Sequence, residues 1–124
     1  MQEQPTTPKR TDYRPAFKSY IDPVELAIPG VDNPRAITKI FDDAFHFYQP
    51  IDTLESIDVE RIAYAQIALV RIERIESDVT SRAGRAFLRR YRTHSQQMLE
   101  RAIASFKRLR ADRQADARSS REIQ

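Results

Sequence analysis

Two long amphipathic patterns, Thr53–Val79 and Arg85–Arg113, stand on either side of one short breaker, Thr80-Ser81-Arg82-Ala83-Gly84. Each pattern carries an apolar stripe that is unfavourable in water, and so short a connection lets the stripes meet only if the helices fold back on each other. The expected fold is all-α: a long antiparallel helical hairpin with one shorter helix before it. Along the first pattern Leu54, Ile57, Ile62, Ala65, Leu69, Ile72, Ile75 and Val79 recur mostly at spacings of three and four, with Glu60, Arg61, Arg71, Glu73 and Arg74 largely outside the stripe. Along the second, Leu88, Tyr91, Ser95, Met98, Ala102, Ser105 and Leu109 follow heptad spacing, widened by Phe87, Leu99, Ile103 and Phe106. Leu69, Ile72, Met98, Ile103 and Phe106 are the expected anchors of helix pairing.

Local signals place the remaining boundaries. Asn33-Pro34 opens a helix over about residues 34–48, with Asn as the cap and Pro at the first helical position, and Gln49-Pro50 closes it. Asp52 with Glu55 three residues on has the form of a capping box for the second helix. Residues 1–27 contain Pro5, Pro8, Pro15 and Pro23 and read as an extended tail whose aromatics Tyr13, Phe17 and Tyr20 suit a strap across the helices. After Arg113 the apolar period is lost, so residues 114–124 are expected to fray into a polar tail, leaving residues 28–113 as the helical domain.

The packable part is about 80 residues, too small to bury both stripes well alone, so self-association is expected. The chain has no cysteine, two histidines (His46 and His94) and two glycines (Gly30 and Gly84). Thiolate chemistry and Cys-based zinc sites are thereby excluded, and phosphate-cradling glycine loops cannot be built. Asp42 and His46, four apart on a helix, are too few ligands to define a metal site. No catalytic residue, metal or cofactor is expected, and the chain reads as a non-enzyme. It shows neither the apolar stretch of a signal peptide near Met1 nor a run of about 20 apolar residues, so no membrane partner is expected and the expected location is cytoplasmic.

Charge points to partners. Residues 82–124 hold 12 Lys and Arg against 4 Asp and Glu, whereas residues 1–81 hold 9 against 14. A basic half of this kind attracts polyanions or pairs with the acidic half. Arg82, Arg85, Arg89, Arg90, Arg92, Arg101, Lys107, Arg108, Arg110 and Arg113 make up the basic face of the third helix. Among them Arg85, Arg89, Arg92 and Arg108 are the expected phosphate contacts, because guanidinium forks suit phosphate oxygens. The competing arrangement pairs these arginines with Glu60, Glu73 or Glu76 of the second helix.

Ile28-Pro29-Gly30-Val31-Asp32, Asp52-Thr53-Leu54-Glu55, Val59-Glu60-Arg61-Ile62-Ala63 and Leu69-Val70-Arg71-Ile72-Glu73-Arg74, with the closing run Tyr91, Leu99-Glu100-Arg101-Ala102 and Phe106-Lys107-Arg108-Leu109, resemble a widespread group of short uncharacterised bacterial helical proteins. That group is often encoded near transposases and other mobile elements. The resemblance spans about residues 28–113 and implies a helical architecture and a mobile-element accessory role; it carries no site residues. The group's Gly-Lys-rich start, ending near Leu-Arg-His-Gly-Leu, is missing, and Ile67 stands where the group has Trp. The expected function is a non-enzymatic interaction protein that self-associates and contacts DNA or RNA through its basic helix. The alternatives are a protein-binding adaptor or oligomeric scaffold without nucleic acid, and a small phage-type packaging subunit.

Overall fold

The computed structural model describes residues 26–123, and within them it holds helices α1 (Pro34–Tyr48), α2 (Thr53–Glu76) and α3 (Arg82–Ile123) and no strand. The fold is all-α, and the expected N-terminal tail and strap lie outside the described residues apart from Leu26 and Ala27.

Helix starts follow the expected chemistry. The Asn33 side chain accepts from the Arg35 N–H at 2.9 Å with Pro34 at the first position, and Asp52 Oδ1 accepts from the Glu55 N–H at 2.9 Å. Glu55 Oε1 in turn accepts from the Ile51 N–H at 3.0 Å, one residue further out than in the usual capping box. Gln49 closes α1 in the left-handed region (φ 45), and its N–H donates to the Phe45 carbonyl. Non-glycine residues enter that region at a cost of about 1 kcal/mol. Here the Gln49 carbonyl is held by Arg110 at 2.8 Å.

The hairpin turn differs from the expected one. Helix α2 stops at Glu76 rather than Val79, and α3 begins at Arg82 rather than Arg85. Ser81, expected within the breaker, caps α3: its carbonyl accepts from the Arg85 N–H and its Oγ from the Gly84 N–H, both at 3.0 Å. Gly84 lies inside the first turn of the helix, where a Cβ would stand 2.6 Å from Val79 Cγ1. Glycine therefore serves a close approach here as well as a break.

The larger correction concerns the C-terminus. Helix α3 spans 42 residues and continues through the expected frayed tail to Ile123. Loss of the apolar period after Arg113 removes a packing partner, but Gln114, Ala115, Ala117 and Arg118 are good helix formers and neither Gly nor Pro follows Gly84. At 1.5 Å per residue α3 is about 63 Å long against about 36 Å for α2, so its last turns project beyond its partner.

Three cross-helix contacts establish the antiparallel register: Arg92 meets Glu76 at 2.8 Å, Ser105 meets Asp58 at 2.7 Å, and Arg110 meets Glu55 at 3.1 Å. Helix α1 packs back along α2, and the core lies between α1, α2 and the middle of α3. It comprises Ile37, Phe41, Ala44, Phe45, Val59, Ala63, Ile67 and Phe106, with Tyr48 and Tyr64 packed against it. The aromatic rings interlock edge to face, Phe41 on Tyr64 at 5.5 Å and Tyr48 on Phe106 at 5.0 Å. Ile62, Ala65 and Ile72 of α2 and Leu88, Ser95 and Ala102 of α3 are buried along the hairpin itself.

Of the expected pairing anchors, Ile72 and Phe106 are buried, and Leu69 and Ile103 are half-buried. Met98 is 37% exposed and lies beside the seam rather than in it, because the buried row 88–95–102 is offset around the helix from 91–98–105. Leu54, expected in the α2 stripe, is 60% exposed, and Glu60, expected outside it, is buried. No helix among the described residues is long and apolar enough to cross a membrane.

Candidate nucleic-acid interface

The basic residues of α3 divide into those consumed by the fold and those left on its surface. Arg110 and Arg113 belong to the first set. Glu55, fully buried, accepts from Arg110 Nε through both carboxylate oxygens at 3.1 Å and also from Arg113, which bonds Asp52 as well. The other guanidinium arm of Arg110 donates to the Tyr48 and Gln49 carbonyls at 2.9 and 2.8 Å, while the group lies 4.7 Å over the Phe106 ring. One arginine thus closes the end of α1, the start of α2 and the body of α3 together. Burial alone pushes the Glu55 carboxyl up, but the hydrogen bonds from Arg110, the Ile51 N–H and Arg113 outweigh it and hold the pKa below the ordinary glutamate range. These two arginines are not available to phosphate, which corrects their place on the expected basic face.

A second lock holds the start of the described chain. Arg71 bonds both Asp32 oxygens, at 3.2 and 2.9 Å, and the Leu26 carbonyl at 2.7 Å. Burial raises the Asp32 pKa, but Arg71 and the Ile28 N–H more than compensate and leave it lowered.

The second set lies on one flank of α3. At about 100° per residue, Arg82, Arg85, Arg89, Arg92, Lys107, Arg118 and Arg121 fall within an arc of roughly 80° on the helix surface, an arc that the consumed Arg110 shares. Arg85, Arg89 and Arg92 line a single open cleft of about 470 Å³ at the hairpin end, with Leu88 as its floor and Glu76 on its far wall. Arg92 is paired with Glu76, and Arg85 Nε donates to the Val79 carbonyl at 3.3 Å, which aims both side chains along the cleft edge. Arg89 is exposed and has no acidic partner among the described residues. Of the expected acidic partners, Glu76 takes Arg92, but the principal carboxylate for α3 is Glu55.

Three of the four expected phosphate contacts therefore come together, and the fourth does not. Arg108 is exposed but lies in a separate row with Arg90 and Arg101, about a third of a turn around the helix from Arg89. Arg118 and Arg121, both exposed, join the main arc only because α3 continues past Arg113. The signal that finds them is the absence of any helix breaker after Gly84. With them the arc runs about 60 Å.

The opposite flank is apolar. Phe87 is 58% exposed and stacks on Tyr91 at 6.1 Å, and Tyr91, His94 and Met98 continue along it. Among the described residues there is no group of three or more His, Asp or Glu placed to hold a metal ion. His46 and His94 are both exposed and stand on different helices. Comparison of the chain with protein-family models, with curated proteins and with solved structures returns no match.

Proposed function

We propose that the chain is a non-enzymatic helical interaction protein that holds nucleic-acid phosphates along the basic flank of α3. The observation that carries this reading is the cleft at the hairpin end, where Arg85, Arg89 and Arg92 converge and Arg89 makes no ion pair among the described residues, the cleft's Glu76 being taken by Arg92. Arginines whose charge is already met inside a fold have little to offer a polyanion. Those left on an open flank at helical repeat distances meet successive phosphates, and the affinity they supply is insensitive to base sequence. The mobile-element accessory role implied by the resemblance belongs to the same proposal.

A second reading rests on a different surface. Phe47, Ile51 and Leu54 are 77, 65 and 60% exposed at the α1–α2 corner, an apolar patch of the kind that docks a protein or a second copy of the chain.

The test is fluorescence anisotropy of labelled DNA and RNA titrated with purified protein, with light scattering for the mass of the assembly. With Arg85 and Arg89 as the two phosphate contacts, affinity falls roughly 12-fold between about 50 and 200 mM salt. The pair Arg85→Glu and Arg89→Glu is expected to abolish most of the binding, whereas Arg108→Glu weakens it less. Absence of binding at low salt overturns the reading and leaves the adaptor, and a ring-sized mass without nucleic-acid affinity favours the packaging subunit.

A further inference from the structure

The upper part of the hairpin holds a cleft of about 260 Å³ on the apolar flank of α3. Tyr64, Ile67 and Arg71 of α2 form one wall and Tyr91, Ser95 and Met98 of α3 the other, and Leu26 closes one end. Helix α1 borders it without lining it: Phe41 of α1 meets Tyr64 from the core side, and no residue of Pro34–Tyr48 is among those that form the cleft.

Two features distinguish this cleft from an ordinary surface depression. Ser95 is 1% exposed, and its Oγ has no hydrogen-bond partner although it lines the cleft. A buried hydroxyl without a partner is costly, and a polar group brought into the cleft relieves it. The second feature is the route of the chain. The Leu26 carbonyl is pinned to Arg71 at 2.7 Å on the cleft wall, so the described chain begins at the cleft, with 25 residues ahead of it in the sequence.

We propose that this cleft seats an aromatic side chain from the chain's own N-terminal segment Tyr13–Tyr20. Tyr13, Phe17 and Tyr20 are the aromatic residues ahead of Leu26. Tyr20 is six residues from Leu26, a span of up to about 20 Å, so it reaches any part of the cleft. A tyrosine satisfies both halves of the site at once, its ring between Tyr91, Ile67 and Met98 and its hydroxyl toward Ser95. Seated there, the segment completes the third layer that α1 leaves unfinished and covers part of the apolar flank of α3.

The chain has two methionines, Met1 and Met98, so protein labelled with carbon-13 at the methionine methyl groups gives a spectrum in which Met98 directly reports on the cleft. In the full chain, the Met98 methyl is expected to show nuclear Overhauser contacts to aromatic protons that belong neither to Tyr64 nor to Tyr91. One of the variants Tyr13→Ala, Phe17→Ala and Tyr20→Ala is expected to abolish those contacts and move the Met98 signal, with helical circular dichroism unchanged, while the other two leave it in place. A Met98 signal that is the same in all three variants overturns the proposal. So does a signal that moves on dilution, which identifies the occupant as a second copy of the chain.

Discussion

Replacing Glu55 by glutamine removes one charge from the centre of the three-helix junction while keeping the side chain's shape and an acceptor for the Ile51 N–H. Glu55 is fully buried, and its carboxylate is the common partner of Arg110 and Arg113. Breaking a buried pair by removing one partner costs about 3–5 kcal/mol when the remaining charge is stranded. Here the remaining charges are not fully stranded, because Arg110 is 36% and Arg113 35% exposed and water recovers part of their solvation. The expected loss is about 2–3 kcal/mol. For a folded body of this size it lowers Tm by roughly 10 °C. Urea unfolding followed by circular dichroism measures the loss directly. Arg110→Met, which keeps an aliphatic stem over Phe106 while deleting the guanidinium, completes a double-mutant cycle with an expected coupling above about 1 kcal/mol. A loss below about 0.5 kcal/mol, or strictly additive effects, refutes the argument that this cluster locks α1 and α2 onto α3.

Acid should act through the same carboxylates. Glu55 and Asp32 both have lowered pKa values, so their stabilisation is complete above the ordinary carboxylate range of about 4 and is lost as pH falls through the folded-state values. The urea midpoint is expected to stay level from pH 7 to about 5 and to drop below about 4, more gently in Glu55→Gln with Asp32→Asn; an equally steep drop in that double variant contradicts the assignment. In the core, Phe106→Ala should cost about 3–4 kcal/mol, whereas the exposed Leu54→Ala should cost under about 1, and equal losses would mean that the packing is misread. At the turn, Ser81→Ala removes the hydroxyl that accepts from the Gly84 N–H and should cost about 1 kcal/mol in thermal melts, with Ser81→Asp recovering most of it.

Much of this architecture is legible in the linear chain because it depends on neighbours. Asn33 capping Arg35 and Asp52 capping Glu55 act over two or three residues and stand where the local chemistry places them, and the apolar repeats of α2 and α3 mark both helices although not every stripe residue is buried. The hairpin follows from one short break between two long stripes. Even the broad division of charge has a local reading, since a basic C-terminal half must meet either acids of its own chain or a partner. The length of α3 was decided by propensity as well, in Gln114 to Arg121, where loss of amphipathicity removes packing without breaking the helix.

What only the tertiary structure decides is which arginines are consumed and which are left free. Arg110 and Arg113 look like Arg85 and Arg89 in sequence. They differ because the hairpin register carries residues at equal distances from the turn into contact. Asp52 and Arg113, Glu55 and Arg110, Asp58 and Ser105, and Glu76 and Arg92 are each centred between residues 81 and 84. That reflection puts Glu55 opposite Arg110 and Glu76 opposite the Arg89–Arg92 turn, where Arg92 takes the carboxylate and Arg89 is left exposed. The same register offsets Met98 from the buried row and exposes Leu54, although both sit in apolar stripes. A stripe states which side of a helix is apolar, but the width of that side that becomes dry depends on the crossing of the neighbouring helix, and no spacing along one chain contains that information.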